Sequence, residues 1–152
     1  MALNNWFECK IQYEKTIENG MPKKITESYL VDALSFTEAE ARIIEEMTPF
    51  ITGEFSVTDI KRANYSELFH SDDAAADRWF KAKLQFITLD EKTGKEKKTA
   101  TLILIQATDF HQALRNLDEG MKGTMADYVI ASLQETPLMD VFPFGVKPEV
   151  EN

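Results

Sequence analysis

An internal repeat places the strongest limit on how this 152-residue chain can fold. Residues 6–13 read Trp-Phe-Glu-Cys-Lys-Ile-Gln-Tyr, and residues 79–86, 73 positions later, read Trp-Phe-Lys-Ala-Lys-Leu-Gln-Phe. The chain contains two tryptophans, and one stands at the start of each copy. A period of this length indicates a duplicated small domain rather than a stack of short repeats.

The match continues beyond the first segment with one small change of offset. A shift of 74 aligns residues 33–47 with residues 107–121, and a shift of 73 aligns residues 55–69 with residues 128–142. We therefore predict an internal duplication of a β-β-α-β unit with pseudo-two-fold symmetry. Each half, of about 75 residues, can bury only a marginal core alone, so we expect the two halves to share one core.

The predicted organisation is a single domain over residues 1–152. It comprises a first repeat at about 4–70, a linker at 71–77, a second repeat at about 78–144 and a tail at 145–152.

Alternating apolar and polar residues predict strands, because successive side chains of a strand point to opposite faces. Main strands are expected at 6–15, 25–33, 54–61, 78–90, 98–108 and 127–135, with shorter extended segments at 65–69 and 138–144. Ser35 or Thr37 caps a helix that ends before Pro49, and Asp109 caps a second helix at 110–121. The expected fold class is α+β, with about six main strands and two helices.

Composition argues against several classes of protein. The formal net charge of −9 disfavours general coating of nucleic acid, although seven basic residues lie between Arg78 and Lys98. Cys9 is the single cysteine, which excludes an intramolecular disulfide and suits a reducing compartment. The N-terminal residues lack a signal-peptide pattern, and no apolar run reaches the ~18 residues of a membrane span. We therefore expect a cytoplasmic protein that does not contact membranes.

No residue pattern indicates catalysis or a metal site. Gly94 and Lys95 lack the earlier glycine and the following serine or threonine of a phosphate-binding loop. His70 and His111 stand apart from any second ligand at metal spacing. The aspartates of the 71–77 linker are explained more simply as a polar connector than as a carboxylate metal site. We expect no enzyme activity, no cofactor and no metal.

The remaining signal combines aromatic and basic residues. Each tryptophan precedes lysines on the same strand face, and both predicted hairpins carry lysines near their ends. Rings that stack on bases, together with lysines that follow phosphates, are typical of proteins that bind single-stranded nucleic acid. The candidate nucleic-acid-binding residues are Trp6, Lys10, Lys23, Lys24, Trp79, Lys81, Lys83, Lys92, Lys95, Lys97 and Lys98.

Other interpretations of these residues remain open. A tryptophan at a strand start is often a core or rim residue, and hairpin lysines often serve solubility or protect a sheet edge. A protein-interaction or assembly module, including a homodimer, would use the exposed hairpins or the segment 138–144. A small-molecule enzyme would need a deep pocket with converging polar groups between the repeats.

Several segments resemble an uncharacterised protein family. They read Asn-Trp-Phe-Glu-Cys-Lys at 5–10, Leu-Ser-Phe-Thr-Glu-Ala-Glu-Ala-Arg at 34–42, Asp-Glu-Gly-Met-Lys-Gly-Thr at 118–124 and Met-Asp-Val-Phe at 139–142. The family is a domain of unknown function found in gut Bacteroidales chromosomes, mobile elements and phages, and the resemblance covers nearly the whole chain. It implies an intracellular bacterial or phage setting, where small accessory proteins of DNA metabolism are frequent. It brings no activity and no catalytic residue.

Overall fold

The computed structural model of the chain describes residues 5–143. These residues form an α+β fold with two helices and eight strands, arranged in two four-stranded sheets. The elements are β1 (Trp6–Thr16), β2 (Pro22–Asp32), α1 (Phe36–Met47), β3 (Phe55–Ala63), β4 (Tyr65–Phe69), β5 (Arg78–Leu89), β6 (Glu96–Ala107), α2 (Phe110–Gly120), β7 (Asp127–Glu135) and β8 (Leu138–Phe142).

The fold class and the order of the elements confirm the coarse sequence prediction. The number of strands corrects it: both short extended segments pair as β4 and β8, so the described residues hold eight strands rather than about six. Three parts of the predicted organisation lie outside the described residues. They are residue 4 of the first repeat, residue 144 of the second repeat and the tail at 145–152.

The two sheets have the same order of strands, but each takes its last strand from the other half of the sequence. The orders are β3-β1-β2-β8 and β4-β6-β5-β7, and the second read backwards is β7-β5-β6-β4. β4 follows β3 in the chain but pairs parallel with β6, whereas β8 follows β7 and pairs parallel with β2. The hairpins β1–β2 and β5–β6 supply the antiparallel centre of each sheet.

The chain accordingly divides into two compact units. Unit 1 consists of Met1–Asn64 with Leu138–Asn152, of which residues 5–64 and 138–143 are described, and unit 2 consists of Tyr65–Pro137. Each hydrophobic cluster described below lies within one unit. A core common to both halves remains a prediction.

In unit 1, one face of the sheet packs against α1, and we call this the helix-side face. Phe7, Cys9 and Ile11 alternate along β1 and are fully buried against Ala39 and Ile43 of α1. The strand period of two and the helix period of 3.6 bring these residues to a single apolar layer. The strand expected at 6–15 is therefore present, with one face buried against the helix.

Unit 2 has its own helix-side face, which packs against α2. Ala82 and Leu84 of β5 and Ile105 of β6 form a cluster with Leu117 and Met121. β6, in which residues 102–105 form a continuous apolar run, lies between β4 and β5. A central strand covered on both faces is typical of such a run.

Both helices begin at the predicted caps. The Ser35 side chain accepts a hydrogen bond from the Glu38 backbone N–H at 3.1 Å. Asp109 accepts from the Gln112 N–H at 2.8 Å. Each cap satisfies a donor that the first helical turn leaves without an intrahelical partner, so the sequence determines where the helices start.

Arg42 of α1 holds the end of β8. Its guanidinium donates to the backbone carbonyls of Asp32, Phe142 (3.5 Å) and Pro143 (3.2 Å). The sequence left open whether residues 138–144 form an interaction motif. Residues 138–142 are a paired strand of the sheet, and Phe144 lies outside the described residues.

Within residues 5–143, neither helix has the length and apolar character needed to cross a lipid bilayer.

Candidate nucleic-acid interface

The two tryptophans lie in the interior and not on an open sheet face. Trp6 exposes 6% of its surface and Trp79 exposes 3%. The ring of Trp79 meets the ring of His70 in an edge-to-face contact with centroids 5.8 Å apart. Neither tryptophan presents a free ring to a base, so this part of the sequence prediction is corrected. The alternative interpretation, a large side chain that fills the interior at a strand start, fits their burial.

Three of the candidate lysines lie on the sheet face opposite the helix. Lys10 of β1 stands across from Asp59 of β3, whose opposite charge offsets its own. Lys81 and Lys83 of β5 stand across from uncharged residues of β7. The sheet of unit 2 therefore has more free positive charge on this face than the sheet of unit 1.

The other candidate lysines gather at the hairpin ends, and all of them are exposed. The β1–β2 hairpin carries Lys23 and Lys24, and the β5–β6 hairpin carries Lys92, Lys95, Lys97 and Lys98. Alternation along each strand turns Lys23 and Lys97 to the helix-side face and Lys24 and Lys98 to the opposite one.

In unit 1, Lys23 also stands directly across from Lys15. Two like charges in this position destabilise a hairpin slightly.

A second set of aromatic rings, absent from the residues predicted to bind nucleic acid, lies on the helix-side face near these lysines. In unit 2, Phe86 of β5 and Tyr128 of β7 are cross-strand neighbours with ring centroids 5.9 Å apart, and both are half-buried. In unit 1, Tyr13 of β1 and Phe55 of β3 occupy the same positions in the strand order and are also half-buried. The repeat aligns Tyr13 with Phe86 and Phe55 with Tyr128, so both positions are aromatic in each copy. This alignment is the sequence signal that could have identified these rings.

We call each group an aromatic–lysine patch. The unit 2 patch consists of Phe86, Tyr128 and Lys97, with Lys92 and Lys95 in the adjoining loop. Lys97 of β6 pairs with Thr88 of β5. Thr88 lies two residues after Phe86 on the same face of the sheet, so Lys97 is displaced from Phe86 by about 7 Å along the strand direction. The unit 1 patch consists of Tyr13, Phe55, Lys15 and Lys23.

A carboxylate distinguishes the two patches. In unit 1, Glu27 faces Ile11 and accepts a hydrogen bond from the Tyr29 hydroxyl at 3.1 Å. Burial, together with the charge and hydrogen bonding of Glu27, raises the pKa of Tyr13. The corresponding position in unit 2, opposite Leu84, is Thr101. The unit 2 patch is therefore more favourable to an anion.

The predicted linker at 71–77 lies inside unit 2, where hydrogen bonds to α2 and β6 hold it. Asp73 accepts from the Ala75 backbone N–H at 2.9 Å and from the Gln112 side-chain amide at 3.0 Å, and these bonds lower its pKa. Gln106 also donates to the Ala76 carbonyl at 3.2 Å. Polar groups of the linker therefore form hydrogen bonds within unit 2. Among residues 5–143, no three His, Cys, Asp or Glu side chains are grouped to hold a metal ion.

The Cys9 thiol should be unreactive in the folded protein. It is fully buried, and desolvation, with the charges of Glu8 and Asp59, raises its pKa from 9.0 to about 12. A disulfide reagent at pH 8 should label Cys9 only after denaturant is added. Rapid labelling of the native protein would contradict its burial.

The same shift predicts a loss of stability at alkaline pH. Above about pH 9 the thiol ionises in the unfolded chain but stays neutral in the fold, so the free energy of unfolding should fall as the pH rises toward 12. Urea denaturation at several pH values would measure this. Cys9→Ala should remove that component, and an unchanged pH dependence in this variant would assign the loss to other groups.

A family model described as Domain of unknown function (DUF4494) matches residues 5–144, and the chain belongs to this family. This confirms the resemblance to an uncharacterised family. No curated protein matches the chain.

Proposed function

We propose that this member of the DUF4494 family is a small non-catalytic module that contacts single-stranded DNA through its aromatic–lysine patches. One observation carries the proposal: the half-buried Phe86–Tyr128 ring pair, with centroids 5.9 Å apart, lies beside Lys97 at the end of a lysine-rich hairpin. Rings that stack on bases and lysines that follow the backbone are the two parts of a single-strand site.

The patch favours a single strand over a duplex. Bases in a duplex are stacked and paired, so their faces are not accessible to a protein ring without the cost of unstacking. The net charge of −9 means that the rest of the protein repels a nucleic acid. Binding therefore concentrates on the end of the β5–β6 hairpin, which lies within the segment Arg78–Lys98 that holds seven basic residues.

The proposal includes an origin by duplication. An ancestral β-β-α-β unit was copied, and the halves are related by pseudo-two-fold symmetry and share one core. The matching strand orders and the aromatic pairs at matching positions support the duplication. The family resemblance supports a setting in the bacterial cytoplasm or in a phage-infected host.

Phe86→Ala should weaken binding of a fluorescein-labelled dT oligonucleotide by about tenfold, because the loss of one stacked base costs ~1–3 kcal/mol. Fluorescence anisotropy in low-salt buffer measures the affinity. Phe110→Ala is the matched control, since Phe110 is a half-exposed ring of unit 2 at the start of α2, outside the patch. If the wild-type protein fails to bind at low salt, the proposal is wrong.

A protein-interaction module is the second candidate, and exposed apolar side chains favour it. Leu89 at the β5–β6 hairpin is 65% exposed, and Met125 in the α2–β7 loop is 96% exposed. Such residues can anchor another protein or a second copy of the chain. Light scattering across a concentration series should then show an oligomer that Leu89→Ser and Met125→Ser dissociate, and a monomer at all concentrations would exclude the homodimer.

A further inference from the structure

A small depression adjoins the unit 2 aromatic–lysine patch. It has a volume of about 260 Å³ and is bordered by Phe86, by β4 and β6 of the sheet and by the C-terminal end of α2. This is smaller than the ~300–1,000 Å³ typical of sites for drug-sized ligands. Its size therefore suits a single ring system rather than a whole nucleotide cofactor.

The depression lies where unit 2 has smaller residues than unit 1 has at the equivalent positions. In unit 2, Ile103 stands opposite Ala82, and Thr101 stands opposite Leu84. At the helix end, a Cβ on Gly120 would lie 2.4 Å from Cε2 of Phe69, so no larger residue fits there without moving that ring.

Unit 1 fills the same part of its sheet. Tyr29 takes the place opposite Cys9, and Glu27 takes the place opposite Ile11. The Tyr29 ring stacks on Phe142 with centroids 5.9 Å apart, and its hydroxyl donates to Glu27. The two units therefore share the same arrangement of strands, but Tyr29 and Glu27 fill this part of the unit 1 sheet, whereas unit 2 leaves it open. Packing of the hydrophobic core does not by itself require the open version.

The groups that line the open version differ in chemistry. Phe69, Ile103 and Met121 are apolar, whereas Glu67 and Thr101 are polar. Glu67 is an exposed residue of β4, and an ionised carboxylate can only accept hydrogen bonds. The depression therefore suits a flat, largely apolar group that carries N–H donors on its edge.

We infer that this depression receives one base of the bound single strand and favours bases with an exocyclic amino group over thymine. The inference rests on the proposed function and adds a base preference to it. Cytosine offers an amino donor where thymine offers a carbonyl oxygen, and a carboxylate accepts from the first and repels the second. Phe86 borders the depression and belongs to the patch, so a strand held by the lysines of the patch lies within reach of it.

The test compares dC10 with dT10 by fluorescence anisotropy at one salt concentration. These two pyrimidine strands have equal length and charge, so a difference reports on base chemistry. We expect dC10 to bind about tenfold more tightly, as a hydrogen bond to a charged group would give. Glu67→Gln should remove most of this preference, because an amide can also donate to a thymine carbonyl.

Two further variants separate the depression from the surrounding charge. Glu91→Gln, in the lysine-rich loop, removes the same charge outside the depression and should keep the preference. Ile103→Tyr introduces the residue type that unit 1 has there and should bring dC10 binding to the dT10 value. Circular dichroism checks that this variant folds, and the result for Glu67→Gln does not depend on it.

The outcomes distinguish the two proposals. Equal binding of dC10 and dT10, or a dC10 preference that Glu67→Gln leaves intact, overturns the base site and leaves single-strand binding standing. If neither strand binds, the proposed function fails. A titration with free deoxycytidine, followed by amide NMR shifts, then decides the base site alone: shifts at Thr101, Ile103 and Met121 support it, and their absence overturns it.

Discussion

Reversing two lysine charges, Lys95→Glu with Lys97→Glu, should weaken binding of single-stranded DNA on the order of 10–100-fold at low salt. Each substitution removes one cation that neutralises a phosphate and introduces an anion that repels it. The dependence of log K on log salt should also become shallower by about 1.4, since each phosphate contact to a single strand contributes ~0.7. Anisotropy titrations at four salt concentrations would measure both quantities.

The geometry indicates that this double variant will fold normally. The Lys95 backbone carbonyl accepts from the Asp90 N–H at 2.8 Å, and a substitution leaves that bond in place. Both side chains are exposed, and no described ion pair includes them. A thermal melt close to that of the wild type would therefore accompany the loss of binding.

The matched control is Lys61→Glu with Arg115→Glu. Both residues are exposed and lie outside the aromatic–lysine patches, and the change in net charge is the same. This pair should weaken binding by only a few-fold, through the general field of the protein. Equal losses for the two double variants would show that net charge, rather than the hairpin, determines the affinity.

Phe7→Ala should lower the free energy of unfolding by about 3–5 kcal/mol, the cost usual for removing a buried phenylalanine. Phe7 is fully buried in the unit 1 cluster, and its ring meets the Phe36 ring edge-to-face with centroids 4.9 Å apart. The Arg62 guanidinium lies 5.1 Å from the Phe7 ring centre. Truncation therefore leaves a cavity and removes two ring contacts.

Urea denaturation of Phe7→Ala and Phe36→Ala would test the prediction. Phe36 belongs to the same contact but is 47% exposed, so its loss should cost about 1 kcal/mol, roughly the worth of an aromatic pair. A loss below 1 kcal/mol for Phe7→Ala, or equal losses for both variants, would contradict the core described for unit 1.

Much of the fold follows from local sequence patterns. The alternation of Phe7, Cys9 and Ile11 predicts β1 and its buried face, and the structure confirms both. Ser35 and Asp109 mark the starts of the two helices because a side-chain oxygen there satisfies a backbone donor three residues on. These features depend on neighbours within a turn or a strand, and such neighbours are known from the sequence.

The candidate site was predicted only in part. The lysines of the hairpins are exposed at the strand ends where the alternation placed them. Trp6 and Trp79 are buried instead of open to a base, and the alternation along each strand did not indicate this. The pairing of Phe86 with Tyr128 depends on the register between β5 and β7, which are more than 30 residues apart in the chain.

The sequence by itself determined the elements, their order and the caps, since each depends on interactions within a few residues. Only the tertiary structure decided that β4 joins β6 and that β8 joins β2. These five-residue strands pair in parallel with distant partners, and no turn connects either strand to its partner. The pairing is therefore selected by how well the complete sheets bury their side chains, a property of the whole chain and not of any segment.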